Sequence, residues 1–184
     1  FRSDLLNPKG KHGQGSLFLD RFLKLINWSS PVTNCIVDLE KQANGMRRID
    51  IFLRCEEGFI GIENKPWAED QELQLHDYAD YLDLSAHGKL WKLIYLCNEE
   101  PSERSIASEK RLALVDKQQF VHLTYDTVVD WLEACAAQSK AQVVRVYVEE
   151  LAKYVRECVI GEMDMNEMNE VGKIMTMTAK NLEA

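Results

Sequence analysis

The chain's 184 residues, 46% hydrophobic and 28% charged, suit one soluble globular domain with a buried core. A net charge of −8 excludes a broadly basic protein that coats nucleic acid, while leaving room for carboxylates gathered around a metal. No apolar run approaches the roughly 20 residues that cross a bilayer, and no secretory signal is visible, so a cytoplasmic protein with no membrane partner is expected. Cys35, Cys55, Cys97, Cys135 and Cys158 are odd in number, widely spaced and never C-x-x-C, which argues against a zinc cage or a disulfide framework.

In chain order, Phe18, Phe22, Leu25 and Ile26 recur at helical spacing and predict a helix over 16–27, with Ser16 as N-cap and a stop at Ser29-Ser30-Pro31. Cys35 to Glu40 reads as a strand, Asn44-Gly45 as a turn, and Arg48 to Leu53 as a second strand. Cys55-Glu-Glu-Gly58 is a tight loop before a third strand, Phe59 to Glu63. Glu69 and Asp70 introduce a helix running to Leu84, where acids suit its positive end, with Leu73 and Leu82 carrying core packing. Leu90 to Cys97 is an apolar fourth strand, 98–109 a polar loop, and Phe120 to Thr124 a fifth strand. Helices are expected over 127–137, 141–160 and 166–182. Helices on a small mixed central sheet follow, an α/β layer fold.

The chemistry concentrates between 48 and 78. Strands two and three pair across the Glu56-Glu57 turn in a register that sets Asp50 opposite Glu63. Two carboxylates facing each other destabilise a sheet unless something compensates, and a cation does so. Mg²⁺ or Mn²⁺ fits, because both take hard oxygen ligands and keep waters in open positions. The Asn64 carbonyl is a third candidate metal ligand. Lys65, two residues after Glu63, projects to the same strand face and could orient the attacking water or stabilise charge on a phosphate. Ile49, Ile51, Ile60 and Ile62 are expected to bury the other face. Gln74 and Tyr78, at i and i+4, share a helix face. The plain alternative is a cross-strand ion pair on a solvated sheet, followed by an ordinary helix.

Asp50, Glu63-Asn64-Lys65 and Gln74-Leu-His-Asp-Tyr78 resemble the PD-(D/E)XK nuclease superfamily, in its branch with the RecB-type order of Asp, Glu-x-Lys and Gln-x-x-x-Tyr. Leu5-Leu-Asn-Pro, His12-Gly-Gln-Gly15 and Tyr125-Asp…Trp131-Leu are similar to a group of bacterial and phage members, so the resemblance runs over about 1–135. It implies a restriction-endonuclease-like α-β-β-β-α-β core at 1–135, with 136–184 a C-terminal helical extension. It also implies metal-dependent hydrolysis of nucleic-acid phosphodiesters, with DNA the expected substrate. Carried over by position, Asp50 and Glu63 are metal ligands, Lys65 is the catalytic lysine, and Gln74 and Tyr78 support them. Where the signature has a proline before its first acid, this chain has Ile49.

Asp20 is the one acid after Ser16 that could turn inward, and Glu40 is a candidate for an extra carboxylate. His12 could reach the site from its loop, and Lys9, Lys11, Arg47 and Arg48 could form a strip for phosphate. His76, His87 and His122 lack metal-ligand spacing. Met168, Val171 and Met175 form a stripe that would dock on the domain or on a second copy as a homodimer. A catalytically inactive nuclease-fold module that binds protein or nucleic acid is the competing reading.

Overall fold

The computed structural model describes residues 3–29, 34–43 and 47–161. Its elements are α1 (Ser3–Leu6), α2 (Leu17–Leu25), β1 (Cys35–Gln42), β2 (Arg48–Cys55), β3 (Gly58–Asn64), α3 (Gln74–Ala86), β4 (Leu90–Leu96), α4 (Ser108–Asp116), β5 (Phe120–Leu123), α5 (Tyr125–Ala136) and α6 (Gln142–Tyr154). A π-helical continuation, Val155–Ile160, follows α6. Of the described residues, 29–124 form one compact unit, and 3–28 with 125–161 form another. The Asn44-Gly45 turn, the helix expected over 166–182 and the methionine stripe lie outside the described residues.

In the first unit the five strands stand in the order β1-β2-β3-β4-β5. β1, β2 and β3 run antiparallel, while β4 and β5 join parallel to β3. Ile51 pairs with Ile62 and Arg54 with Phe59, the register expected for the hairpin. The helix and strand order is the expected α-β-β-β-α-β, because the period-2 alternation of β2 and β3 and the apolar run of β4 are strong local signals. Leu75, Tyr78, Ala79, Leu82 and Ala86 of α3 pack with Phe52, Trp91, Leu93, Tyr95 and Phe120 of the sheet. Gly61 permits this approach: a Cβ there would lie 3.2 Å from Leu82 Cδ1 and 3.4 Å from Ile49.

Ile49 departs from simple alternation. Alternation places it beside Ile51, Ile60 and Ile62, yet it packs with Phe52 and Tyr78 on the α3 side. The physical reason lies in the β1–β2 ladder. Leu39 pairs with Ile51 and Lys41 with Ile49, but Glu40 and Asp50 between them drop out, and Glu40 takes a φ of 47°. Ile49 thus adjoins a break in the regular pairing, where strict alternation no longer holds.

Three further expectations are corrected. α3 begins at Gln74, not near Glu69, because 65–73 folds back as a loop that ends in Leu73 at a φ of 55°. Leu73 is accordingly 48% exposed, and Leu75 takes its place in the core. The polar loop expected over 98–109 holds as far as 107, and at Ser108 it gives way to α4, a helix where none is expected. Only Leu114 of that helix is buried, so its amphipathic signal is too weak to read.

In the second unit Phe18, Leu19, Phe22 and Leu23 of α2 are buried. Trp131 of α5 lies edge-on to Phe18 and Phe22, and its Nε1 donates to the Phe18 carbonyl at 3.3 Å. Ser16 stands at the N-cap position, but its hydroxyl donates to Asp20 at 2.7 Å rather than capping the backbone.

Candidate active site

The hairpin and the start of α3 supply the site. β2 carries Asp50, the end of β3 carries Glu63 and Asn64, and Lys65 follows directly. The first two turns of α3 add Gln74 and Tyr78. With Gln42, Arg47, Arg48, Ala68 and Gln71 they line an open cleft of about 1030 Å³.

Asp50 and Glu63 are held differently. Asp50 Oδ2 accepts the Asn64 backbone N–H at 2.8 Å. Glu63 is buried, and its Oε1 accepts from Gln74 Nε2 at 2.8 Å and meets Lys65 Nζ at 3.4 Å. Its other oxygen, Oε2, is buried with no hydrogen-bond partner. Burial first, and Asp50 second, push the Glu63 carboxyl up to about 7 against the pull of Lys65. Burial likewise raises Asp50, against the Asn64 N–H and Lys65, while Glu40 adds to the rise. Burial is thus the main reason that both carboxyls resist ionisation, and Lys65 offsets it only in part.

Lys65 is only 4% exposed. Its ammonium donates to the Glu69 carbonyl at 3.0 Å, which fixes it in the cleft wall beside Glu63. Gln74 Nε2 also donates to the Tyr78 hydroxyl at 3.1 Å, and that hydroxyl donates to the Arg48 carbonyl. Burial and then Glu63 push the Tyr78 phenol up to about 12, so it stays a neutral donor. The i, i+4 pair thus ties α3 to both strands of the hairpin.

The remaining expected residues are placed as follows. Arg47 reaches Asp77 and the Glu72 carbonyl, and Arg48 pairs with Glu40 at 3.0 Å, both partners exposed. Glu40 does not line the cleft, and its effect there is electrostatic. His12 belongs to the second unit, where it is buried. Its Nε2 bonds the Asn7 carbonyl at 3.0 Å, its Nδ1 accepts from the Gln14 N–H at 3.1 Å, and its ring abuts Phe18. Both ring nitrogens are therefore engaged locally. Lys9 and Lys11 are exposed in that same unit. Asp20 holds Ser16.

Sequence reasoning missed Gln42, Ala68 and Gln71 in the cleft wall, and it misread Asp70. Asp70 accepts from the Tyr95 hydroxyl at 3.0 Å and the Ser102 N–H at 2.7 Å, which anchors the 65–73 loop rather than a helix end. Gln71 N–H lies 3.4 Å from Gln74 Oε1. No periodicity marks such a loop, so nothing local announces it.

The donor set fits a hard divalent cation. Among the described residues no three His, Cys, Asp or Glu side chains converge on one point. A cation here would take two carboxylates and waters, as Mg²⁺ commonly does, with a backbone carbonyl as a further oxygen donor. The unpartnered Glu63 Oε2 is the oxygen such an ion would satisfy.

A family model described as the PD-(D/E)XK nuclease superfamily matches residues 2–157. Among curated proteins, none matches this chain. A crystal structure of a protein of unknown function, AF1548, aligns at 14% identity over 91% of this chain and 98% of that one, with a TM-score of 0.34. That overlap is too loose to carry an argument.

Proposed function

The chain belongs to the PD-(D/E)XK nuclease superfamily, and from that premise we propose that it hydrolyses nucleic-acid phosphodiester bonds, those of DNA first, with Mg²⁺ or Mn²⁺ held at Asp50 and Glu63. One observation carries the reading: a buried Glu63 oxygen has no partner, in a carboxyl pushed up to about 7, beside a second acid and a buried lysine. A protein that used these groups only as a structural ion pair would gain nothing from leaving that oxygen unpaired.

Each residue then has a task. Asp50 and Glu63 present oxygens from adjacent strands, and Asn64 adds its carbonyl. When bound, the cation lowers the pKa of a water and offsets charge on the phosphate. Lys65, fixed between Glu63 and the Glu69 carbonyl, offers its ammonium to a phosphate oxygen and stabilises the charge that develops there. Gln74 holds the Glu63 carboxylate in its rotamer, and Tyr78 holds Gln74. Arg47 and Arg48 stand in the cleft wall and steer the backbone of the substrate by sharing their charge between phosphate and their present acidic partners.

The test uses the purified chain with Mg²⁺ or Mn²⁺ on labelled single- and double-stranded DNA and RNA. Cleavage of DNA is expected in the wild type and absent in Lys65→Ala, while Lys65→Ala keeps the melting-temperature gain from Mn²⁺. Should no substrate be cut in a Lys65-dependent way with either ion, the nuclease reading fails and an inactive nuclease-fold binding module replaces it.

A further inference from the structure

The β1–β2 ladder begins with two opposed thiols. Cys35, the first residue of β1, is the direct partner of Cys55, the last residue of β2. Their sulfurs stand 2.6 Å apart, and both cysteines are free. Directly opposed residues of antiparallel strands hold their Cα atoms about 4.5–5.5 Å apart, inside the roughly 4.4–6.8 Å that a disulfide spans. A bond between these sulfurs therefore needs no movement of the backbone. No spacing motif announces the pair, since 20 positions separate the two and only the pairing of β1 with β2 brings them together.

Access divides the labour. β1 is an edge strand of the sheet. Cys35 is partly exposed there, whereas Cys55 is buried. An incoming reagent meets Cys35 first, and Cys55 waits behind it. Among the described residues, Cys97, Cys135 and Cys158 are likewise free thiols, but none of them has a cysteine opposite it in the sheet.

We propose that Cys35 and Cys55 are a thiol–disulfide exchange site, oxidised to an intramolecular bridge by a small-molecule disulfide of the glutathione class. Cys35 sulfur attacks the reagent's S–S bond and forms a mixed disulfide, releasing one thiol. Cys55 sulfur then attacks Cys35 sulfur and releases the second. One S–S bond breaks and one forms, the electron pair passes to the reagent, and the two protein thiol protons end on the two released thiols. The Cys55 thiol, and then burial, push the Cys35 thiol up, so the first step is slow. The second is fast, because the resolving sulfur already touches its target.

The bridge closes 35–55, a segment containing Gln42, Arg47, Arg48 and Asp50 of the cleft. Closing a loop of that length restricts the unfolded chain and raises the melting temperature by roughly 5–10 °C. This inference goes beyond the nuclease reading, and its test requires no activity.

The test incubates the full chain with excess oxidised glutathione, then unfolds it, alkylates the remaining thiols and measures intact mass and peptide maps. Three of the five cysteines are expected to remain alkylatable, with a Cys35–Cys55 crosslink in the map and a melting-temperature rise that dithiothreitol reverses. Cys55→Ser should stop at a glutathione adduct on Cys35. The proposal is overturned if all five thiols of the wild type survive oxidation. A wild type that stops at the mixed disulfide, or a bridge that maps to another pair, overturns it equally.

Discussion

Gln74 Nε2 donates to Glu63 Oε1 at 2.8 Å, while Oε2 of the same carboxylate is buried and unpartnered. One oxygen is thus locked by α3, while the other is buried without a hydrogen-bond partner. The carboxylate cannot rotate to relieve the second oxygen without giving up the first bond. Desolvated and fixed, it costs stability as a carboxylate, which makes it the group to probe.

Asp50→Asn should therefore stabilise the metal-free protein. Burial raises the Asp50 carboxyl, and it in turn raises Glu63, so its ionised form opposes folding near neutral pH. The amide oxygen of Asn can still accept the Asn64 N–H. A gain of about 1 kcal/mol, or roughly 2–4 °C in melting temperature, is expected in EDTA, together with loss of the Mn²⁺-induced rise. A variant that melts lower in EDTA and still responds to Mn²⁺ would refute both halves.

Glu63 sets a pH dependence whose sign is opposite to that of most carboxylates. Its carboxyl titrates at about 7 in the fold and at 4.5 when unfolded. Between those values the folded chain holds a proton that the unfolded chain has released. The stability from this group is therefore complete below about 4.5 and is lost as pH rises through about 7. Mn²⁺ prefers the ionised form, so the Mn²⁺-induced gain should be small at about pH 5.5 and full at about pH 8. Melting curves of wild type and Glu63→Gln, with EDTA and with Mn²⁺, isolate the group. A gain independent of pH would show that Glu63 is not a ligand.

The hairpin register was legible because period-2 alternation and a four-residue turn leave little choice, and Ile51 does face Ile62. The meeting of Gln74 with Tyr78 was legible from helical spacing alone. Ile49 was not, because the ladder loses its regular pairing at Glu40 and Asp50 beside it, which no local pattern marks. Nor was the loop over 65–73, whose shape depends on Asp70 finding Tyr95 and Ser102 far along the chain. Local pattern foretells elements and neighbours at fixed spacing, while contacts set by tertiary closure stay hidden from it.

Tyr78→Phe tests whether α3 positions Glu63 for the proposed metal. The ring is in the core at 1% exposure, so Phe keeps the packing and removes only the hydroxyl that bridges Gln74 and the Arg48 carbonyl. A stability loss of about 1 kcal/mol is expected, with Mn²⁺ affinity down about 10-fold because Gln74 loses its anchor. Gln74→Ala, which frees Glu63 Oε1 directly, should weaken Mn²⁺ binding further. If calorimetry finds wild-type affinity in both variants, the network is structural and does not position Glu63.

Two glycines on β3 should respond very differently to alanine. At Gly58 a Cβ would stand 1.9 Å from the Leu90 carbonyl oxygen, which belongs to the backbone of β4 and cannot rotate away. The parallel pair of Gly58 and Leu90 opens that ladder, so relief requires prying apart the first residues of two central strands. At Gly61 the nearest atoms are the tips of Leu82 and Ile49, at 3.2 and 3.4 Å, which can shift by a few tenths of an ångström. Gly58→Ala should cost about 3 kcal/mol or more, and Gly61→Ala about 1 kcal/mol. Urea denaturation of both variants in EDTA checks the order, and equal losses would mean that β3 and β4 do not approach this closely at Gly58. Gly61→Ala also presses on Ile49, the neighbour of Asp50, so its Mn²⁺ affinity should fall while Gly58→Ala, where it folds, keeps the site intact.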